Sequence, residues 1–226
     1  MSVRFRGAIL FDFDGTLAPN LDLPDMRRRV IGLTRTYGVD DAVWQGCYIV
    51  EIIEASRCHL AGHDTELARE YHTRAHDLIT RFELDAAART QVFPWARDLL
   101  AAMRASDLGT AIVTRNCEAA VQATFPDVMT HVDCLLTRDN VVHLKPDPRH
   151  FESAMHSLGV SPPRCMVVSD GAMDMRTGRE LGLCCIGVLG GSSDADTLRS
   201  AGAELVLENA ARLGSVVDRL VEPITR

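Results

Sequence analysis

The chain has 226 residues, 46% of them hydrophobic and 24% charged, which excludes a disordered chain and is enough for one large or two modest cores. Its 31 acidic residues against 24 lysines and arginines give a net charge of −7, excluding a general electrostatic pull toward nucleic acid or an anionic membrane. An anionic ligand therefore has to be drawn in by local charge, against the overall field.

The N-terminus, MSVRFRGAILFDFDG, is basic and then apolar. It meets two aspartates too soon for a signal peptide, and no run in the chain approaches membrane-spanning length. The apolar run Ala8-Ile9-Leu10-Phe11 belongs to a first strand predicted over 4–14, buried on both faces of a parallel sheet. Residues 18–91 change character and predict a helical insert. Met26, Val30, Leu33 and Tyr37 recur at helical spacing; Asp40 or Asp41 caps a second helix to about Leu60; Asp64 opens a third to about Phe82; a short fourth follows Asp85.

Helix and strand alternate from Phe93 onward. The reading gives helix 94–106, strand 108–114, helix 118–125 stopped by Pro126, and strand 132–136. Helix 147–158 ends near Gly159, strand 165–169 follows, and helix 173–181 ends at Gly182. Strands 184–188 and 204–207 have a helix between them, and another helix closes the chain. Such repeats imply an α/β fold with a three-layer, Rossmann-like parallel sheet core over 1–17 and 92–226, and an inserted small helical domain over 18–91. Seven cysteines, at 47, 58, 117, 134, 165, 184 and 185, form no CxxC pair and sit mostly among apolar residues, which suits reduced thiols in a cytoplasmic protein.

Four segments carry the chemistry. FDFDGTL places Asp12 and Asp14 at the end of the first strand, where ligands of open α/β sheets bind, and Gly15-Thr16 turns the chain away. Two carboxylates leaving a hydrophobic sheet require a cation between them. Thr114 in AIVTRN and Asp170 in VVSDGAMD also end strand-like runs, so their strand ends converge if the strands are neighbours. Lys145 in HLKPDP lies in a loop that can reach the same point. Positioning and charge neutralisation of this kind suit phosphoryl transfer.

These four segments, in this order, resemble the motifs of the haloacid dehalogenase-like superfamily, in its phosphatase branch with a helical cap. The resemblance covers the whole chain, with 18–91 matching only as the cap, and departs from the family's frequent glycine at Ser169. It implies hydrolysis of a small phosphorylated metabolite, with Asp12 as the nucleophile that forms an aspartyl-phosphate and Asp14 as general acid and base. It implies Mg²⁺ held by the Asp12 carboxylate, the Asp14 backbone carbonyl and Asp170. Asp174 would hold a metal-bound water or orient Lys145, Thr114 would bind phosphoryl oxygens, and Lys145 would neutralise nucleophile and phosphate. Arg115 is either a second cation for the substrate or a surface arginine, and Asn116 either a phosphate-loop donor or a turn residue. An acid at position 14 suits an oxygen leaving group that needs a proton. A sugar-phosphate mutase of the same superfamily and a non-catalytic phospho-ligand sensor are the alternatives.

Counting formal charge, Asp12, Asp14, Asp170 and Asp174 contribute four negative charges, and Mg²⁺ with Lys145 returns three positive. A proton on Asp14 brings the sum to zero, so a phosphate dianion is not repelled.

In the insert, His59 and His63, and His72 and His76, are spaced one helical turn apart. Without an HExxH string or matching cysteines they read as solvated polar-face histidines rather than metal ligands. Arg27-Arg28-Arg29 reads as a solvated helix face, with a basic lip over the site as the alternative. No nucleic-acid or membrane partner is expected, and the sequence sets no oligomeric state.

Overall fold

The computed structural model describes residues 5–215 and Val217. In chain order, β1 (Gly7–Phe11) precedes three helices, α1 (Leu23–Thr36), α2 (Ile49–Ala61) and α3 (Thr65–Ala87). Then come α4 (Ala96–Ala105), β2 (Leu108–Val113), α5 (Glu118–Thr124), α6 (Val128–His131), β3 (Cys134–Leu136) and α7 (Arg149–Leu158). The chain continues with β4 (Cys165–Ser169), α8 (Ala172–Glu180), β5 (Cys184–Val188), α9 (Ala195–Ala201) and β6 (Leu205–Leu207). A 3₁₀ segment, Ala210–Ser215, follows where a closing helix was expected; most of the remaining C-terminal sequence lies outside the described residues.

Residues Leu21–Ala86 form one compact unit and the rest of the chain the other. The larger unit is a three-layer α/β fold around a six-stranded parallel sheet in the order β3-β2-β1-β4-β5-β6. Successive residues of β1 face opposite sides. Ile9 and Phe11 join a core with Leu99, Leu100 and Met103 of α4 and Val121 of α5. Ala8 and Leu10 join another with Phe151 and Met155 of α7, Met175 of α8 and Leu198 of α9. Ile9, Leu10 and Phe11 are wholly buried; at about 2 kcal/mol for each such side chain, they help offset the cost of carrying carboxylates at the strand's end.

The first strand, Gly7–Phe11, is shorter than the strand expected over 4–14. Arg6 N–H leaves the ladder for the Asp107 carbonyl at 3.0 Å, and beyond the strand Leu17 N–H turns back to the Phe13 carbonyl at 2.9 Å.

In the smaller unit, Val30, Ile52, Ile53, Tyr71, Ala75 and Ile79 form the core, and the Tyr71 hydroxyl meets the Thr34 hydroxyl at 2.8 Å. Asp22 caps α1 through Asp25 N–H. Two expectations are corrected here. Asp40 caps only a 3₁₀ turn, Asp41–Val43; the chain then reverses through Gly46 at φ 80° before α2 begins at Ile49. Nothing starts at Asp85, because α3 runs unbroken to Ala87. An aspartate inside a helix costs only a few tenths of a kcal/mol, and its leucine and alanine neighbours favour continuation. Among the described residues no helix is long and apolar enough to cross a membrane.

Candidate active site

The direction of winding reverses beside β1, with β2 on one side and β4 on the other. The crevice outside the carboxyl ends of these strands is where open α/β sheets hold ligands. Asp12 leaves β1 there, its N–H bonded to the Val168 carbonyl at 2.9 Å, and Asp170 leaves β4 beside it. Thr114 leaves β2 and is 1% exposed.

Lys145 reaches this point from the loop before α7. It is 1% exposed, with Nζ 3.0 Å from Asp12 Oδ1 and 2.8 Å from Asp174 Oδ2. Its backbone N–H donates to His150 Nδ1 at 3.1 Å, so that nitrogen carries a lone pair. Burial, and the charges of Lys145 and Arg115 after it, push His150 down to about 3 and keep it neutral. Lys145 itself shifts up: burial opposes its charge, and Asp12 and Asp174 outweigh that.

Asp174, in the first turn of α8, also accepts from the Ser169 hydroxyl at 2.7 Å, while its Oδ1 is buried with no hydrogen bond among the described residues. Ser169 stands where the resemblance expects a glycine. The hydroxyl that distinguishes it from glycine lies 3.4 Å from Asp12 Oδ2 and accepts from Gly171 N–H at 3.0 Å, so it links three site positions.

Asp170 lies in a backbone cradle. Ser192 N–H donates to its Oδ2 at 2.6 Å, and its own N–H donates to the Thr16 hydroxyl at 3.2 Å. A Cβ on Gly15 would lie 2.6 Å from this carboxylate, and one on Gly191 would lie 2.4 Å from it; Gly15 also needs its φ of 77°. The run Gly190-Gly191-Ser192 is the loop after β5. Its role depends on β5 lying next to β4, which no local pattern states.

Asn116 stands beside Asp14. Its side-chain amide reaches both Asp14 oxygens, at 3.2 and 3.0 Å, and its Oδ1 accepts from Cys117 N–H at 2.8 Å. It therefore orients the Asp14 carboxyl. Arg115 donates to the Lys145 carbonyl and lies 3.9 Å from Met173 Sδ, bracing the lysine loop.

Burial pushes Asp12 up to about 7; Lys145 lowers it, while Asp174 and Asp170 raise it further. Burial also raises Asp170, against the lowering hydrogen bonds from Ser192. Two desolvated carboxylates with raised proton affinity, a buried acceptor on Asp174, and all-oxygen donors form a set that fits a hard divalent cation. Fold and site together define an α/β enzyme with an acidic, oxygen-donor centre at its switch point.

A family model described as haloacid dehalogenase-like hydrolase matches residues 7–182. The phosphoglycolate phosphatase of Chromobacterium violaceum is 27% identical, over 94% of this chain and 97% of its own. The N-acetylmuramic acid 6-phosphate phosphatase of Pseudomonas aeruginosa is also 27% identical, over 94% and 95%. A solved hydrolase from Pseudomonas syringae shares the fold at a TM-score of 0.66 and 21% identity, over 94% and 98%. The chain belongs to the haloacid dehalogenase-like hydrolase family and is a hydrolase.

Proposed function

We propose that this protein is a Mg²⁺-dependent phosphatase acting on small phosphorylated metabolites through an aspartyl-phosphate. The observation that carries this reading is the meeting of Asp12 and Asp170 at adjacent strand ends, with Lys145 buried against Asp12. The relatives named for phosphoglycolate and N-acetylmuramic acid 6-phosphate support a phosphomonoester substrate.

Asp12, the Asp14 backbone carbonyl and Asp170 would hold Mg²⁺, which when bound supplies positive charge to the phosphoryl oxygens. Lys145 counters the proton affinity that burial gives Asp12 and adds a further charge toward the phosphate. Asp12 attacks phosphorus, and the bond to the ester oxygen breaks. The leaving alkoxide takes its proton from Asp14, which Asn116 holds in place. Asp14, now a base, deprotonates the water that attacks the phosphorus of the aspartyl-phosphate, releasing phosphate and restoring Asp12. Thr114 and neighbouring backbone N–H groups bind phosphoryl oxygens. Asp174 and Ser169 fix Lys145 and Asp12 in register.

Seven free thiols suit a reducing, cytoplasmic setting.

The test is phosphate release from para-nitrophenyl phosphate with and without Mg²⁺, followed by a panel of phosphoglycolate, sugar phosphates and N-acetylmuramic acid 6-phosphate. Metal-dependent turnover with Asp12-linked phosphate in acid-quenched protein is expected. Bound metal without turnover of any ester would overturn the reading in favour of a phospho-ligand sensor.

A further inference from the structure

The histidines of the helical unit do not all face solvent. His72 and His76, one turn apart on α3, share a face. Glu54 of α2 meets them: His72 Nε2 lies 2.8 Å from Glu54 Oε1 and His76 Nε2 lies 3.8 Å from the same oxygen. The two imidazole centroids are 4.4 Å apart. One ligand atom from each residue falls within 4.8 Å of the others. Glu54's second oxygen, Oε2, accepts from Arg57 Nε at 2.9 Å, which fixes the carboxylate plane and leaves Oε1 directed at the histidines.

One atom of the cluster is left over. His76 Nε2 is buried and makes no hydrogen bond among the described residues. A buried polar nitrogen left in this way is unfavourable unless something else satisfies it.

We propose that Glu54, His72 and His76 bind a divalent d-block cation of the zinc class, which cross-links α2 to α3. Zinc takes imidazole nitrogen and carboxylate oxygen at about 2.0–2.2 Å, so tetrahedral ligands stand roughly 3.3–3.5 Å apart. The observed 2.8 and 3.8 Å from Glu54 Oε1 to the two imidazoles bracket that spacing, and side-chain adjustment within the 4.8 Å cluster would complete it. Two neutral imidazoles and one carboxylate leave a fourth position for water. This donor set differs from the all-oxygen centre at the sheet, which suits Mg²⁺, so the two sites select different ions. Nothing in the hydrolytic mechanism uses it; its effect is to hold two helices of the smaller unit together.

The experiment is zinc titration of the metal-stripped full-length protein, in competition with a chromophoric chelator. Asp170→Asn removes the sheet-end centre from the count. In that background one zinc equivalent should remain, and His76→Gln or Glu54→Gln should weaken it by about 100-fold or more. Zinc should raise the melting temperature of Asp170→Asn but not of its His76→Gln derivative. Equal zinc uptake with and without the histidine change would overturn the proposal. If the derivative fails to fold, cobalt(II) on the Asp170→Asn protein decides: strong visible bands of a four-coordinate ion support the site, and only the weak bands of a six-coordinate ion exclude it.

Discussion

Lys145 Nζ lies 3.0 Å from Asp12 Oδ1, although 133 positions separate the two residues in the chain. The lysine also touches Asp174, so one buried cation holds two buried or part-buried carboxylates. Replacing it by methionine keeps the volume and removes the charge. Breaking a buried ion pair from one side costs about 3–5 kcal/mol. Lys145→Met is therefore expected to lose about 3 kcal/mol in urea unfolding of metal-free protein at pH 8, and to lose activity. An unchanged unfolding midpoint would show that the pair carries no structural weight.

Asp14→Asn separates the two halves of the reaction. A general acid contributes about 10²–10⁴-fold, and a nitrophenolate leaving group hardly needs one. The variant should release a first equivalent of nitrophenol in a burst and then stall, because its phosphoenzyme lacks a base. On an alkyl phosphate even the burst should vanish. Equal losses in both phases with both esters would remove Asp14 from the acid role.

Gly15→Ala tests the cradle around Asp170. The new methyl meets the Asp170 carboxylate at 2.6 Å, and the backbone sits at φ 77°. A left-handed alanine costs about 1–2 kcal/mol, and the displaced carboxylate should raise the Mg²⁺ concentration for half-activation roughly tenfold. Magnesium titration of the rate reads this directly; unchanged half-activation would mean Asp170 is not a ligand.

Ser169 is linked to Asp174 Oδ2 at 2.7 Å inside the core. Ser169→Ala leaves that oxygen with Lys145 alone and should cost about 1–2 kcal/mol in thermal unfolding. If alanine is as stable as serine, the hydroxyl is dispensable there.

His150 supplies a pH dependence. Its folded value is near 3 against about 6.5 in the unfolded chain. A depressed histidine leaves stability intact above pH 6.5 and subtracts from it as pH falls toward 3, since only the unfolded chain takes up the proton. By pH 5 the loss is about 2 kcal/mol from this group. Protonation at Nδ1 would also break the bond from Lys145 N–H. Denaturant unfolding at pH 7.5 and pH 5 should show a fall about 2 kcal/mol smaller in His150→Asn, whose side-chain oxygen can still accept. Identical falls would assign the pH dependence to other groups.

Local pattern was sufficient for much of the sheet and for finding the acids. The extents of β4 and β5, Cys165–Ser169 and Cys184–Val188, follow from short apolar runs bounded by polar or turn residues. Asp12, Asp14, Thr114 and Asp170 could be placed because a strand's end is a local property. The same locality misjudged Asp40 and Asp85, where an aspartate can either cap a helix or ride in one. What pairs with what was decided only by the tertiary structure. Arg115 braces Lys145, Asn116 turns to Asp14, Ser192 holds Asp170, and Glu54 stands against His72. Each of these contacts joins segments brought together by strand order or helix packing. Such contacts depend on the packing of the chain as a whole, which no window of neighbouring residues encodes.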